Sequence, residues 1–323
     1  MTDDKNKQLN KAVTTALKDY LGLSPDETLL VISDSELRNI GLLFHEAARE
    51  ICFESIYAEI KPRERNGQEP PSQIADLMKN VDVILCPTSK SLTHTEARRE
   101  ASKLGVRVGT MPGITLDTIV RCFSAKPEKI VELSSKIGSL LRKTAAVRIT
   151  TKLGTDITLP MKGRRILEST GVLNTIGESG NLPSGEVYLA PWERKSAGRV
   201  VFDGSFAGIG LLDNPIVVDI RDGFAKRITG GDEAAKLSEL FKQAGRDANA
   251  VAEFGIGTNY KAKLCGNILE DEKVMGTVHI AFGNNISMGG KISVPSHVDG
   301  IIKKPTVYFD NDLIMHEGKF VFE

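Results

Sequence analysis

"TLLVISDSELRNIGLLFHEAARE", residues 28–50, decides the fold of the first half of this chain. Its opening "TLLVISD" (28–34) is a short apolar run without polar alternation, the texture of a strand buried on both faces. From Ser35 the apolar residues fall at helical spacing, and Ser35 is placed as a possible cap. Working outward, "ESIYAEI" (54–60) reads as a second strand, followed by a Pro-rich loop around Pro70 and Pro71 and by "SQIADLMKN". "VDVILCPTS" (81–89) is apolar enough for another buried parallel strand. It leads into "SLTHTEARREASKLG" (91–105), a helix ending at a glycine, and then "VRVGTMP". "PEKIVELSSKIGSLLRKTA" (127–145) closes the half as a linker helix. This alternation predicts an α/β N-terminal domain over 1–145, Rossmann- or flavodoxin-like, with a doubly wound, mostly parallel sheet.

No GxGxxG or P-loop follows "TLLVISD", so the half carries no phosphate-binding fingerprint. His94 falls near the carboxyl edge of such a sheet, where ligands bind, but a polar residue at a helix start is the commoner explanation. His45 reads as a packed helix position. Neither is assigned a role.

From residue 146 the texture changes. "AVRITTKLGTDITLPMKG" looks like a hairpin around Gly154-Thr155, and "GRVVFDGSFAG", "PIVVDIRDGFAKRITGG" and "KPTVYFDNDLIMHEGKFVFE" repeat strands with Gly, Asn and Asp turns. One helix, "GDEAAKLSELFKQAG" (231–245), interrupts them. Residues 146–323 are therefore expected to form a strand-rich α+β domain. His316, in the turn-like "MHEGKF", reads as structural.

Bulk properties bound the function. The chain has 323 residues, 41% hydrophobic and 26% charged, with 42 Lys plus Arg against 42 Asp plus Glu. Zero net charge offers no electrostatic reason to expect nucleic acid or an anionic membrane as partner. The start "MTDDKNKQLN" lacks the apolar core of a secretory signal, and no apolar run approaches the ~20 residues of a membrane span. Cys52, Cys86, Cys122 and Cys265 form no CxxC pair and read as reduced thiols. A cytoplasmic protein is expected.

The chemistry gathers in the second half. "GGKISVPSHVDGII" (289–302) places His297 and Asp299 two residues apart, on one side of a strand. A solvated strand face is the alternative on that segment alone. "EDEKVMGTVHIAFGNN" (270–285) puts His279 in an apolar strand, "AVAEFGIGTN" puts Glu253 between Ala252 and Phe254, and "GNLPSGEVYLAP" puts Glu186 at the start of an apolar run. Ionised carboxylates in such company cost free energy unless paired or bound to a metal. An oxygen-rich set with imidazoles suits a pair of divalent ions better than a closed structural zinc site.

"NLPSGEVYLAP", "AEFGIGTN", "DEKVMGTVHIAFGNN" and "SHVD" resemble, in this order, the motifs of the aminopeptidase T-like (thermophilic leucyl aminopeptidase) metallopeptidases. The likeness covers roughly residues 170 to 323. It implies a metal-dependent hydrolase in which two ions, zinc, cobalt or manganese, activate a water that attacks an N-terminal peptide bond or related amide. By motif the ligands would be Glu186, Glu253, His279, His297 and Asp299. Glu272 is a weak candidate for general base, and Lys273, like it, also fits a solvated charge run. The resemblance further implies a homo-oligomer acting on a small peptide or other small molecule.

One departure bears on catalysis. Those peptidases carry a tyrosine seven residues after the histidine matching His279, and here that position is Ile286. Isoleucine donates no hydrogen bond to an oxyanion. Tyr188 and Tyr260 are the available replacements. The chain also resembles iron-dependent ring-cleaving dioxygenases of the 2,5-dihydroxypyridine type, for which His279, His297 and Asp299 would hold one Fe(II) and the missing tyrosine would do no harm. A metal-binding homologue without catalysis is the third reading. The five ligands favour the hydrolase.

Overall fold

The computed structural model describes residues 3–322. Its fold class is the one read from the sequence: a parallel α/β part followed by strand-rich antiparallel sheets. The chain divides into two compact units, one comprising the chain up to Val131 together with Ser169–Ser184, the other Glu132–Glu168 and the chain from Gly185 onward.

The first unit holds a five-stranded parallel sheet in the order Glu54–Ile60, Thr28–Asp34, Val83–Cys86, Arg107–Thr110, Ser179–Asn181. Every residue of Val83–Cys86 is buried, as is every residue from Leu29 to Asp34. This is why those segments read as unbroken apolar runs. Ser35 is not the cap of the helix that follows. That helix starts at Arg38, and the Asp34 carboxylate accepts from the amides of Glu36 and Leu37, each at 3.2 Å. Its other oxygen accepts from the amide and hydroxyl of Ser89, both at 2.6 Å, tying the first strand's end to the loop after the third. Asp34 outcompetes Ser35 because the strand end already buries it facing both turns. Thr95 does cap the helix Glu96–Lys103, accepting from the amide of Arg98. Gly105, at φ +100°, ends that helix. The fifth strand is a return from beyond residue 145, so the units do not meet at the single expected boundary. Ser-Gly-Asn has no apolar pattern to announce it.

The second unit packs two antiparallel sheets around one core. The eight-stranded sheet runs Phe224–Thr229, Ile216–Arg221, Ala197–Phe202, Asp156–Pro160, Ala146–Thr150, Thr306–Phe309, Asp312–His316, Lys319–Phe320. Its Val147, Ile157, Val200 and Val218 share a core with Val187, Phe254, Ile280 and Ile302 of the seven-stranded sheet. The expected hairpin at Gly154-Thr155 forms between Ala146–Thr150 and Asp156–Pro160. The turn joining Ile216–Arg221 to Phe224–Thr229 uses Asp222 and Gly223, at φ 51° and 73°. Positive φ at both central positions matches the twist of the flanking strands. The helix Gly231–Ala244 sends Leu237 and Phe241 into the core, where the Phe241 and Phe282 rings stand 5.3 Å apart. Among the described residues no helix is long and apolar enough to cross a membrane, and all four cysteines are free.

Candidate metal centre

Four adjacent strands of the seven-stranded sheet build the site: Glu186–Leu189, Val251–Gly257, Thr277–Gly283 and His297–Lys303. Alternation decides which side chains meet. Phe254, Ile256, Val278, Ile280 and Ile302 point into the core, so their neighbours in sequence point to the opposite face. Glu253 and Asp299 both pair with Ala281, one from each side, while His279 pairs with Gly255 and His297 with Gly283. The small residues between the functional ones leave room. A Cβ on Gly255 would lie 2.0 Å from His279 Nε2, so glycine is what lets the imidazole lean across the neighbouring strand.

The resulting contacts are short. His279 Nε2 lies 3.2 Å from Glu253 Oε1 and 3.6 Å from Glu186 Oε2. His297 Nε2 lies 3.1 Å from Glu253 Oε2 and 3.4 Å from Asp299 Oδ1. The five residues predicted as ligands therefore come together as two overlapping groups, Glu186–Glu253–His279 and Glu253–His297–Asp299, with Glu253 shared. The trio His279, His297 and Asp299 does not form a group by itself.

Glu272 and Lys273 belong to the same cluster and are not a solvated charge run. Lys273 is fully buried, and its ammonium donates to Glu186 Oε1 at 2.7 Å and to Glu272 Oε2 at 2.6 Å. The loop that carries it is held from behind. Buried Glu270 accepts from the amide of Lys263, and buried Asp271 from the amides of Cys265 and Gly266. Tyr188 lies on the site face of its strand, and burial together with the charges of Glu186 and Glu253 raises its phenol. Tyr260 has its cation partner in Lys261, 5.8 Å from the ring centroid. His45 instead hydrogen-bonds Ser55 through Nδ1 at 2.8 Å, the His94 carbonyl accepts from Arg99, and His316 ends an outer strand. None of the three belongs to the metal-capable groups.

The electrostatics favour positive charge at the imidazoles. Burial pulls His279 down, but the hydrogen bond to Glu253 and the charges of Glu186, Glu253 and Glu272 outweigh it and raise it to about 9. His297 is raised well above its ordinary value against burial, by Asp299 and Glu253. Burial would raise Asp299, yet His297 holds it down at about 2. A divalent cation would meet this same field.

The donor atoms fit a metal. Glu186 Oε2 is buried without a hydrogen-bond partner and faces His279 Nε2. His297 donates from Nδ1 to the Asn284 carbonyl at 2.7 Å, which fixes its tautomer and turns Nε2 toward the two carboxylates. Metal-binding histidines characteristically have such a partner. His279 Nδ1, by contrast, is buried with none. The two groups also differ in access: the His297 side chain is 32% exposed, whereas His279 is fully buried.

Fold and site together define an α/β protein with an imidazole–carboxylate cluster of metal-capable residues on one sheet face. More particularly, the chain belongs to the NicX family, described as 2,5-dihydroxypyridine 5,6-dioxygenase, whose profile matches residues 14–322. It is 22% identical, over 248 residues, to a 2,5-dihydroxypyridine 5,6-dioxygenase of Pseudomonas putida, covering 71% of this chain and 69% of that one. Among solved structures, the 2,5-dihydroxypyridine dioxygenase from Pseudomonas putida superposes with a TM-score of 0.85 at 18% identity, over 98% of both chains. Wild-type AmpT from Thermus thermophilus superposes with a TM-score of 0.72 at 17% identity, over 98% of this chain and 99% of that one.

These findings place the chain in an enzyme family and correct the sequence reading. The hydrolase, with its aminopeptidase and metalloprotease character, is overturned by the family match and by the Pseudomonas putida relative. The likeness to AmpT shows a shared fold. The physical reason for the error is that imidazole and carboxylate ligands serve hydrolytic and oxidative metals alike.

Proposed function

We propose that the chain is an iron-dependent, ring-cleaving dioxygenase acting on a dihydroxylated pyridine or a similar hydroxylated heteroaromatic ring. The observation that carries this reading is the open group Glu253–His297–Asp299, found in a chain of the NicX family. One imidazole and two carboxylates would hold a ferrous ion there, and the bound metal would supply dioxygen activation.

A single ion is proposed rather than two. The second group is closed to solvent at His279, and one of its carboxylates already has a cation, because Lys273 lies on Glu186. Lys273 holds Glu186 by Oε1, and the two oxygens of Glu253 brace His279 and His297. The protein's own residues thus fix the ring of His297 before any substrate arrives.

Ile286 fits the same reading. It is 50% exposed and begins the turn Ile286–Met288, with its amide on Asn284 Oδ1. The position offers no hydroxyl to an oxyanion, which ring cleavage at a single ion does not require. Glu272 is the proposed proton carrier. Burial pushes its carboxyl up to about 8, with Lys273 opposing and Asp299 and Glu186 adding to the rise. It therefore holds a proton at neutral pH that can pass to or from a ring hydroxyl. The test is oxygen uptake by chain loaded anaerobically with Fe(II) and mixed with 2,5-dihydroxypyridine. Uptake that stops when the ring absorbance is exhausted supports the proposal; ring absorbance unchanged in air refutes it.

A further inference from the structure

The segment between the Thr277–Gly283 and His297–Lys303 strands is built around a carboxylate that touches no metal ligand. Asn284, at its start, supplies the carbonyl that accepts from His297 Nδ1, and its amide and side chain bond the Ser296 and Val294 carbonyls at 2.7 and 3.0 Å. Asn285 is fully buried. It receives the amide of Ile292 on Oδ1 at 2.8 Å and donates its own amide to the Ile292 carbonyl at 3.1 Å. A Cβ on Gly290 would lie 2.1 Å from the Asn285 side chain, so the segment closes only with glycine there.

One oxygen of Glu193 fastens this segment from outside. Oε1 accepts from the amide of Lys291 at 2.9 Å, from Asn285 Nδ2 at 3.3 Å and from Arg164 at 3.4 Å. Arg164 is itself held: its Nε donates to the Ala190 carbonyl at 2.7 Å, and its guanidinium stacks 4.7 Å from the Trp192 ring. Ala190 directly follows the strand that carries Glu186. Glu193 therefore joins the far end of that strand to the segment that orients His297.

We propose that Glu193 is a positioning residue of the metal centre: by pinning Asn285 and Lys291 it holds the Asn284 carbonyl where it fixes the His297 ring. The inference rests on the metal-centre reading above. The Asn284 carbonyl is the partner bonded directly to His297, and disturbing such a partner typically changes metal affinity by roughly 10–100-fold; Glu193 acts through it.

The test is a cobalt(II) titration of the full chain followed by its visible absorption, with thermal unfolding of the metal-free chain in parallel. Glu193→Ala should weaken cobalt binding at least tenfold with its stoichiometry unchanged, and Glu193→Gln, which keeps an accepting oxygen, should recover most of the loss. Should Glu193→Ala fail to fold, Gly290→Ala, which displaces Asn285 from the other side, is read in the same way. Wild-type cobalt affinity in the folded variants, whatever their melting temperatures, overturns the inference. A wild-type chain that binds no metal would instead remove the centre itself.

Discussion

Gly255 and Lys273 show, at the scale of single residues, what the centre depends on. A methyl group at Gly255 meets Nε2 of His279, the imidazole that braces Glu253 of the proposed ion site, so the ring has to move. Gly255→Ala should lower metal affinity by about tenfold or more while the sheet persists, as read by elemental analysis and circular dichroism. Lys273 bridges Glu186 and Glu272, and Lys273→Met would leave the buried Glu186 carboxylate without its cation. The expected loss is about 3–5 kcal/mol in urea unfolding of the metal-free chain; a loss near zero would mean that Lys273 is dispensable to the cluster. That the five candidate residues cluster was legible because charged or titratable side chains interrupt apolar strands. Glu272 and Lys273 were not, because "EDEK" reads the same whether it faces water or packs under a sheet. Only the loop fold, with Glu270 and Asp271 holding its amides, turns that run inward.

At the scale of elements, period and turn chemistry carried the prediction where they were strong. The strands around "TLLVISD" and "VDVILCPTS", the helix after residue 230 and the hairpin at Gly154-Thr155 all form. The strand Ser179–Asn181 has no period, and its place beside Arg107–Thr110 is set by long-range packing. The order of the site sheet was equally hidden, since the Glu186 and Glu253 strands pair across an intervening run of other strands and a helix. One tie between elements is testable by pH. Arg107, at the start of its strand, holds Glu27 with two hydrogen bonds, at 2.6 and 2.8 Å. Burial would raise the Glu27 carboxyl, but the hydrogen bonds from Arg107 and the Ser24 amide prevail and hold it below its ordinary value. A lowered carboxyl contributes stability above its unfolded value of ~4.5, and that contribution is lost as pH falls through the folded value. Glu27→Gln should thus cost about 3 kcal/mol at pH 7 in denaturant unfolding, with the gap from wild type narrowing on acidification. A gap independent of pH would show that the ion pair is not its source.

At the scale of the whole molecule, the fold is shared more widely than the site. The chain superposes along nearly its full length on both a dihydroxypyridine dioxygenase and AmpT. Fold alone therefore cannot choose between them, and the choice lies in the site. Counting ligands favoured two metals and hydrolysis. Ile286 pointed the other way, and the proposed single ion accords with Lys273, which is already seated on Glu186. The most direct test of the account is the fate of isotopically labelled dioxygen when the Fe(II)-loaded chain consumes 2,5-dihydroxypyridine. Ring-opened product carrying both labelled oxygen atoms is the predicted result. Product labelled only from water, or no ring opening alongside release of an amino acid from a short peptide, would contradict it.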